Sequence, residues 1–187
     1  MTPLTKSRTL TRRSILRLLL LGALGSQLAL TKVRAENAVY DPYVVKAEFL
    51  VSFFKYVKWP SLPGGPLTIG VLGDDPFGGA LDKAVQGEVV AGHKLTVKRS
   101  HKVEDLKGCQ VIFIAGSERA NIGGILAGLA VLNILTVGES DGFIRQGGTI
   151  GFLIKGEKLR FEINQEAAQR SGLEISSWLL KLGQPGR

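Results

Sequence analysis

Cysteine and histidine are scarce in this 187-residue sequence, which contains only Cys109, His93 and His101. A single cysteine cannot form a disulfide within the chain. Because Cys109 precedes the apolar run QVIFIAG, we expect a buried thiol, and the alternative is a bridge to a second molecule. The two histidines flank one predicted strand without the spacing of paired ligands, so no metal site is predicted.

Enzyme signatures are also absent from the sequence. It contains no Gly-x-Ser-x-Gly elbow, no phosphate-binding loop ending in Lys-Ser/Thr and no dinucleotide fingerprint. We therefore predict a protein that is not an enzyme and needs no cofactor. A hydrolase triad assembled from distant residues is the remaining catalytic alternative.

The first 35 residues contain no acidic residue and no apolar run long enough to span a bilayer. Seven basic residues lie there, and the apolar run from Leu18 to Leu30 has 13 residues, whereas a membrane-spanning helix needs about 20. Val33 and Ala35 then form a small-residue cleavage signature. This order predicts a signal peptide over residues 1–35, cleaved after Ala35, and the alternative is an uncleaved anchor.

The signal contains an arginine pair, Arg12 and Arg13, in the stretch TRRSILR. That stretch resembles a twin-arginine export signal, with Ile15 and Arg17 where Phe and Lys are usual. We predict export of the folded chain by this route; the alternative is a general secretory signal. Either route predicts a periplasmic protein.

The positive charge of the chain belongs to the signal. Beyond Ala35, 17 of the 24 Lys and Arg residues remain against all 16 acidic ones, so the formal charge falls from +8 to +1. Binding of nucleic acid requires a basic field on the folded domain. Nucleic acid is therefore excluded as a predicted partner of residues 36–187.

Residues 36–187 are predicted to form a single domain. Residues Pro42 to Lys58 have the pattern of a helix, in which Lys46 projects into the apolar side. We favour a lysine that extends past the helix end to water, and the alternative is a buried carboxylate partner.

Apolar runs of strand length alternate with helical segments from Leu67 onward, and a hairpin is predicted to turn at Lys155-Gly156-Glu157. This order predicts an α/β, three-layer fold, in which a mostly parallel sheet is flanked by helices with an antiparallel hairpin at one edge. Asp75, Ser117 and Asn164 are predicted to cap the helices that follow them.

Polar residues follow three predicted strands, where ligands bind in such sheets. A pocket there would be acidic with one arginine and would suit an amine-bearing or zwitterionic ligand. Helix capping and turn closure are the favoured alternative for these side chains. The candidate residues for contact with a ligand or partner are Asp74, Asp75, Ser117, Glu118, Arg119 and Glu139.

Four segments, in order, resemble the YfiR-like family of periplasmic proteins over Tyr43 to Leu182. They are YVVKAEFLVSFFKYVKWP, IGVLGDDPFGGALD, LTVGESDGFIRQGGTIGFLI and LRFEINQEAAQRSGLEISSWLLKL. The resemblance implies a compact α/β protein without enzymatic activity. It also implies a role like that of its best-understood relatives, which bind the periplasmic part of an inner-membrane diguanylate cyclase and hold it inactive; some are sequestered by an outer-membrane lipoprotein. Loss of repression raises cyclic di-GMP and promotes biofilm formation.

One departure from the family concerns cysteine. Relatives with several cysteines can be tuned by disulfides, whereas Cys109 alone excludes that route within this chain.

The family motifs also contain charged and polar residues that we expect to form a structural network: Lys46, Arg160, Glu162 and Asn164. We hypothesise that Lys46 and Glu162 form a buried pair that joins the first helix to the sheet. The alternative is that Arg160 and Glu162 present their charge to a partner.

Two functions from different classes follow from the sequence. The first is a periplasmic signalling regulator that binds the sensor region of a diguanylate cyclase, and the second is a small-ligand binding protein that serves a sensor or transporter. The sequence leaves open repression or activation, and a monomer or a homodimer.

Overall fold

The computed structural model describes residues 41–156 and 158–186. The predicted signal and its cleavage site therefore lie outside the described residues. No helix within the described residues has the length and apolarity needed to cross a bilayer. The helices are α1 (Pro42–Tyr56), α2 (Ala80–Val85), α3 (Ile122–Leu129), α4 (Gln165–Arg170) and α5 (Ser177–Leu182). The strands are β1 (Val57–Lys58), β2 (Leu67–Leu72), β3 (Val89–Val90), β4 (His93–Ser100), β5 (Val111–Ile114), β6 (Leu135–Gly138), β7 (Ile150–Lys155), β8 (Lys158–Ile163), β9 (Glu174–Ile175) and β10 (Gln184–Pro185).

Eight of these strands form one sheet in the order β10-β8-β7-β6-β5-β2-β4-β3. The five central strands from β4 to β7 are parallel, and β8 returns antiparallel to β7. The chain passes from β2 to β4 on one side and then to β5 on the other, so the strand order reverses between β2 and β5. The mostly parallel sheet and the β7–β8 hairpin confirm the predicted fold class, and the two-residue strand β10 pairs outside the hairpin.

The sheet buries an apolar layer on each face. On the first face, Phe53 of α1 and Leu81 of α2 pack with Phe113 and Phe152 of the sheet. On the second face, the buried side of α3 packs against β5, together with Phe143 from the loop after β6. The continuous apolar strands are explained by this burial on both sides.

Helix α1 begins where the sequence indicates. Asp41 caps it by accepting a hydrogen bond of 2.8 Å from the Tyr43 amide, and Pro42 occupies the first turn. The helix ends at Tyr56 rather than Lys58, because Val57 and Lys58 pair with Ile175 and Glu174 in a small second sheet.

Two predicted helix starts are wrong. Helix α2 begins only at Ala80, after a glycine-containing turn in which Asp75 accepts from the Phe77 amide at 2.7 Å. Helix α3 begins at Ile122, because Gly116–Asn121 form a 3-10 helix that Ser117 does not cap. An Asp or Ser that closes a local turn has the same sequence pattern as a helix cap.

The helix predicted to follow Asn164 ends at Arg170, and the chain continues in shorter elements. Asn164 does cap α4, by accepting from the Ala167 amide at 2.9 Å. The chain then turns at Gly172, where φ is +66°, before β9 and α5. A left-handed turn favours glycine there and prevents one continuous helix.

Candidate functional site

The polar loops predicted as a site lie at the carboxyl ends of β2, β5 and β6. We call residues 73–75 and 116–119 the β2–β5 rim, and residues 139–145 the β6 rim. The strand-order reversal lies beneath the β2–β5 rim, where sheets of this kind most often bind ligands.

The β2–β5 rim is closed by its own side chains. Ser117 Oγ accepts a hydrogen bond of 3.0 Å from the Asp74 amide. Gly73 has φ of +90°, and a Cβ added to it would lie 2.4 Å from Ser117 Oγ. The two loops therefore touch at the position where a crevice was expected.

Asp75 belongs to a surface ion-pair cluster. Its carboxylate accepts from Arg99 Nε at 2.6 Å, while Arg99 Nη2 donates to Asp82 at 2.7 Å. The hydrogen bond to Asp82 is the main cause that raises the pKa of Arg99 above its usual value. The sequence analysis did not identify Arg99 and Asp82. The alternation of β4 was a usable signal, because it places Arg99 on the same face of the sheet as Leu95 and Val97.

A buried charged residue of α1 lies against the β6 rim. Lys46 is 4% exposed and donates to Glu139 Oε2, and its Nζ lies 4.2 Å from the centroid of the Tyr43 ring. Tyr43 donates its hydroxyl hydrogen to Glu139 Oε1 at 3.1 Å. Burial, with Glu139 contributing further, raises the pKa of Tyr43. We call Lys46, Tyr43 and Glu139 the β6 anchor.

The β6 anchor overturns two sequence predictions. Lys46 does not extend to water, because its ammonium is covered and paired. Its carboxylate partner is Glu139 rather than Glu162, so the hypothesised Lys46–Glu162 pair is wrong. The pair joins α1 to the end of β6, across 93 positions of sequence.

A cleft opens between the loops after β5 and β6. It has a volume of about 530 Å³ and is lined by Gly116, Arg119, Glu139, Ser140 and Asp141. Of the residues predicted to form a pocket, the structure brings Arg119 and Glu139 together here. Asp74, Asp75, Ser117 and Glu118 do not line it.

A second depression lies beside β7, and we call it the β7 groove. Its volume is about 340 Å³, and residues 139–145 form one wall while residues 151–154 and Glu162 complete it. The cleft and the groove share Glu139, Ser140 and Asp141. The β6 anchor therefore holds the segment that separates two concave surfaces.

The other members of the predicted charge network are placed separately. Arg160 is exposed and Glu162 half-buried on β8, alternating with the buried Phe161 and Ile163 as predicted. Asn164 caps α4 and donates from Nδ2 to the Ile144 carbonyl at 3.3 Å. Its role is to fix a turn, and within the described part of the chain its side-chain hydrogen bonds are to Ile144 and Ala167 rather than to Lys46.

Cys109 and His93 lie near the amino-terminal ends of β5 and β4, at the end of the sheet opposite both rims. Cys109 is buried as predicted, and burial raises the pKa of its thiol to about 11. His93 Nδ1 lies 2.8 Å from the Gly65 carbonyl. Within residues 41–156 and 158–186, no group of three or more His, Cys, Asp or Glu side chains is placed to hold a metal ion.

Comparison with family models connects this geometry to known proteins. The model described as YfiR/HmsC-like matches residues 43–184, which include both rims and the β6 anchor. The chain belongs to the YfiR/HmsC-like family. This family consists of periplasmic, non-catalytic regulators of diguanylate cyclases.

Solved structures share the fold at low sequence identity. A conserved domain protein from Vibrio cholerae O1 biovar eltor is 15% identical, with a TM-score of 0.54, over 78% of this chain and 60% of that one. An ABC domain in complex with L-Trp from Streptococcus pneumonia is 13% identical, with a TM-score of 0.50, over 73% and 59%. This chain thus spans about three fifths of each of these structures. No curated protein matches the sequence.

Proposed function

We propose that this member of the YfiR/HmsC-like family binds the periplasmic sensor region of an inner-membrane diguanylate cyclase and represses cyclic di-GMP synthesis. The observation that carries the proposal is the family match over residues 43–184, which covers almost all of the described fold. The predicted export signal supports it, because the same compartment contains the sensor regions of such cyclases. An outer-membrane lipoprotein is the second partner that we propose, as a competitor for the repressor.

The geometry of the site supports a role in contact rather than chemistry. The carboxylate of Glu139 is held by Lys46 and Tyr43, so its charge is already compensated. Such a carboxylate is suited to fixing the shape of the β6 rim. The rim then separates two concave surfaces that a partner could contact.

Deletion of the gene tests the proposal, with intracellular cyclic di-GMP as the readout. We expect a rise on deletion and a return to the starting level when the intact gene is restored. Unchanged cyclic di-GMP, under conditions where the protein is produced, would contradict repression of a cyclase.

Two signal variants test where the protein acts. A copy with Arg12→Lys and Arg13→Lys should fail to restore repression, because a twin-arginine signal requires the pair. A matched copy with Arg8→Lys and Arg17→Lys makes the same chemical change outside the pair and should restore it. Restoration by both copies would contradict export by the twin-arginine route, and immunoblots of periplasmic fractions would show it directly.

A second candidate function is the binding of a small zwitterionic ligand in the cleft of about 530 Å³ that contains Arg119, Glu139 and Asp141. The opposed charges on its walls favour this candidate, and one protein of similar fold is described in complex with L-Trp. We expect L-Trp to raise the melting temperature of the protein, and Arg119→Gln to abolish that rise. No rise at millimolar L-Trp, or the same rise in the variant, would contradict it.

A further inference from the structure

Strand β7 extends beyond its neighbour in the sheet. It pairs with β6 only through Val137↔Ile150 and Gly138↔Gly151, whereas its pairing with β8 continues to Lys155↔Lys158. Residues 152–155 therefore have no partner strand on the β6 side among the described residues. This stretch is an open edge about 13 Å long.

The pairing register shows which backbone groups this edge presents. The Asn164 amide donates to the Thr149 carbonyl, so in the β7–β8 register the alternate pairs 151/162, 153/160 and 155/158 also exchange the hairpin hydrogen bonds. On the β6 side, the Phe152 N–H is used in the parallel pairing with Gly138. The Phe152 C=O and both the N–H and C=O of Ile154 consequently face the open side. The same alternation directs the Ile163 carbonyl outward on β8, where it accepts from the Gly186 amide at 3.0 Å.

The open edge faces a concave surface. Residues 151–154 form one wall of the β7 groove, and residues 139–145 form the opposite wall. Ile154 is 62% exposed at this edge. An extended segment placed in the groove would thus meet unpaired backbone groups on one side and the β6 rim on the other.

The other open edge of the sheet differs in its charge. Strand β3 covers only His93 and Lys94 of β4, and the uncovered remainder includes Lys98 and Arg99. Charged side chains, lysine above all, are a usual means of preventing unwanted strand pairing. The β7 edge has the side chains Phe152, Leu153 and Ile154 and no charge before Lys155.

The charge of the β7 groove indicates the kind of segment that fits. Its walls contain the carboxylates of Glu139, Asp141 and Glu162 and one arginine, Arg145. Lys46 compensates only Glu139. A net negative charge remains and complements a basic residue on the incoming segment.

We propose that the β7 groove binds an extended segment of a partner protein, which adds to the sheet as a strand beside β7. The segment alternates apolar residues, which face Phe152 and Ile154, with lysine or arginine, which faces Asp141 and Glu162. Backbone hydrogen bonds supply affinity in this mode, and alternate side chains supply specificity. The proposal concerns the chemistry of recognition and holds whether or not the partner is a cyclase.

Synthetic peptides test this with the full chain as the receptor. The probe is a capped heptapeptide of alternating valine and lysine, and the control is the same peptide with glutamate in place of lysine. We expect the lysine peptide to slow amide hydrogen exchange at Ile154, whose N–H faces the groove. We also expect it to bind about tenfold more tightly than the glutamate peptide, as measured by calorimetry, because several charge pairs change sign.

Two proline variants test whether the peptide binds at the open edge of β7 or at the outer edge of β8. Ile154→Pro removes an N–H that faces the groove, and Leu159→Pro removes the outward N–H of the residue directly opposite on β8. We expect Ile154→Pro to abolish binding of the lysine peptide and Leu159→Pro to retain it. Asp141→Lys provides a variant with an intact backbone and should remove the preference for lysine over glutamate.

Several results would overturn the proposal. They are equal binding of the two peptides, equal loss in both proline variants, or protection at β4 amides such as Val97 instead of Ile154. Absence of binding by the lysine peptide at millimolar concentration would also contradict it. None of these results depends on cyclic di-GMP, so they remain separate from the test of the cyclase proposal.

Discussion

The two rims at the carboxyl end of the sheet begin with similar sequences and reach different structures. Each loop starts with a glycine followed by polar residues, as in Gly73-Asp74 and Gly138-Glu139. In the β2–β5 rim these groups bind one another, through the Asp74 amide and Ser117 Oγ. In the β6 rim the carboxylate is held from below by α1, and concave surfaces lie on both sides of it. Polar residues at the end of a strand therefore do not by themselves show where a cleft lies. The position of the cleft depends on which group each polar side chain binds.

Removal of the buried lysine should produce the largest effect. Lys46→Met leaves Glu139 without its cation while only 18% of its side chain is exposed, so we expect a loss of about 3 kcal/mol in the free energy of unfolding. Urea denaturation would measure it.

The matched control for Lys46→Met is Lys58→Met, which breaks an ion pair whose side chains are 83% and 78% exposed. We expect little change from it. The double variant Lys46→Met, Glu139→Gln should lose less stability than the sum of its single variants. Additive losses would show that the two charges do not interact.

Replacement of the glycine in the closed rim should have the next largest effect. Gly73→Ala combines φ of +90° with a Cβ 2.4 Å from Ser117 Oγ, and we expect it to cost about 2 kcal/mol. Gly78→Ala is the control, because Gly78 also has positive φ, +52°, but no atom within 4 Å of the added Cβ. Equal losses in the two variants would mean that backbone strain alone, and not closure by Ser117, accounts for the effect. Thermal melts would compare them.

Tyr43→Phe should have a smaller effect, because it removes one hydrogen bond to Glu139 and leaves the ring beside Lys46. We expect a loss of about 1 kcal/mol. A loss of stability as large as that of Lys46→Met would show that the Tyr43 hydroxyl, rather than the ion pair, makes the main contribution of the β6 anchor.

We expect the smallest effect on stability from Cys109, which precedes β5 at the end of the sheet opposite the rims. Its thiol pKa of about 11 lies above the value of about 8.5 for a free thiol. The folded state therefore holds the thiol proton more tightly than the unfolded state does. The contribution of this proton to folding stability is complete below the pKa of the thiol in the unfolded state, and it is lost as pH rises through the pKa in the folded state. Stability should decline between about pH 8.5 and 11, and Cys109→Ala should remove that part of the decline in alkaline denaturation curves.

At pH 8, reaction of Cys109 with a thiol reagent should be roughly a hundredfold slower than that of a free thiol. Lys46→Met should leave this rate unchanged if the disturbance stays at the β6 rim. A faster reaction in that variant would show that the two ends of the sheet open together.

The sequence predicted the layers of the fold better than the contacts within the site. Strands β2, β5 and β6 were recognisable because burial on both faces requires continuous apolar runs. The family motifs included Lys46. Because Lys46 lies on the apolar side of α1, its charged ammonium was expected either to reach water or to pair with a carboxylate.

The identity of that carboxylate was not predictable from local pattern. Glu139 and Glu162 both follow or lie in apolar segments, and only the three-dimensional order of β6, β7 and β8 decides which one lies near α1. The helix starts failed for a different reason, since Asp75 and Ser117 satisfy amides outside the helices that they precede.

The bond between Lys46 and Glu139 also has a consequence for how the chain is synthesised. Helix α1 is the first described element to leave the ribosome, yet its ionic partner follows 93 residues later, and its aromatic partners Phe152 and Phe161 follow later still. Until they are made, Lys46 has no ionic partner and Phe49 lacks two of its aromatic neighbours, although α2 and β5 already offer α1 an apolar surface. Completion of the fold waits for the last third of the chain, so a nascent chain truncated before residue 139 can pack α1 only in part.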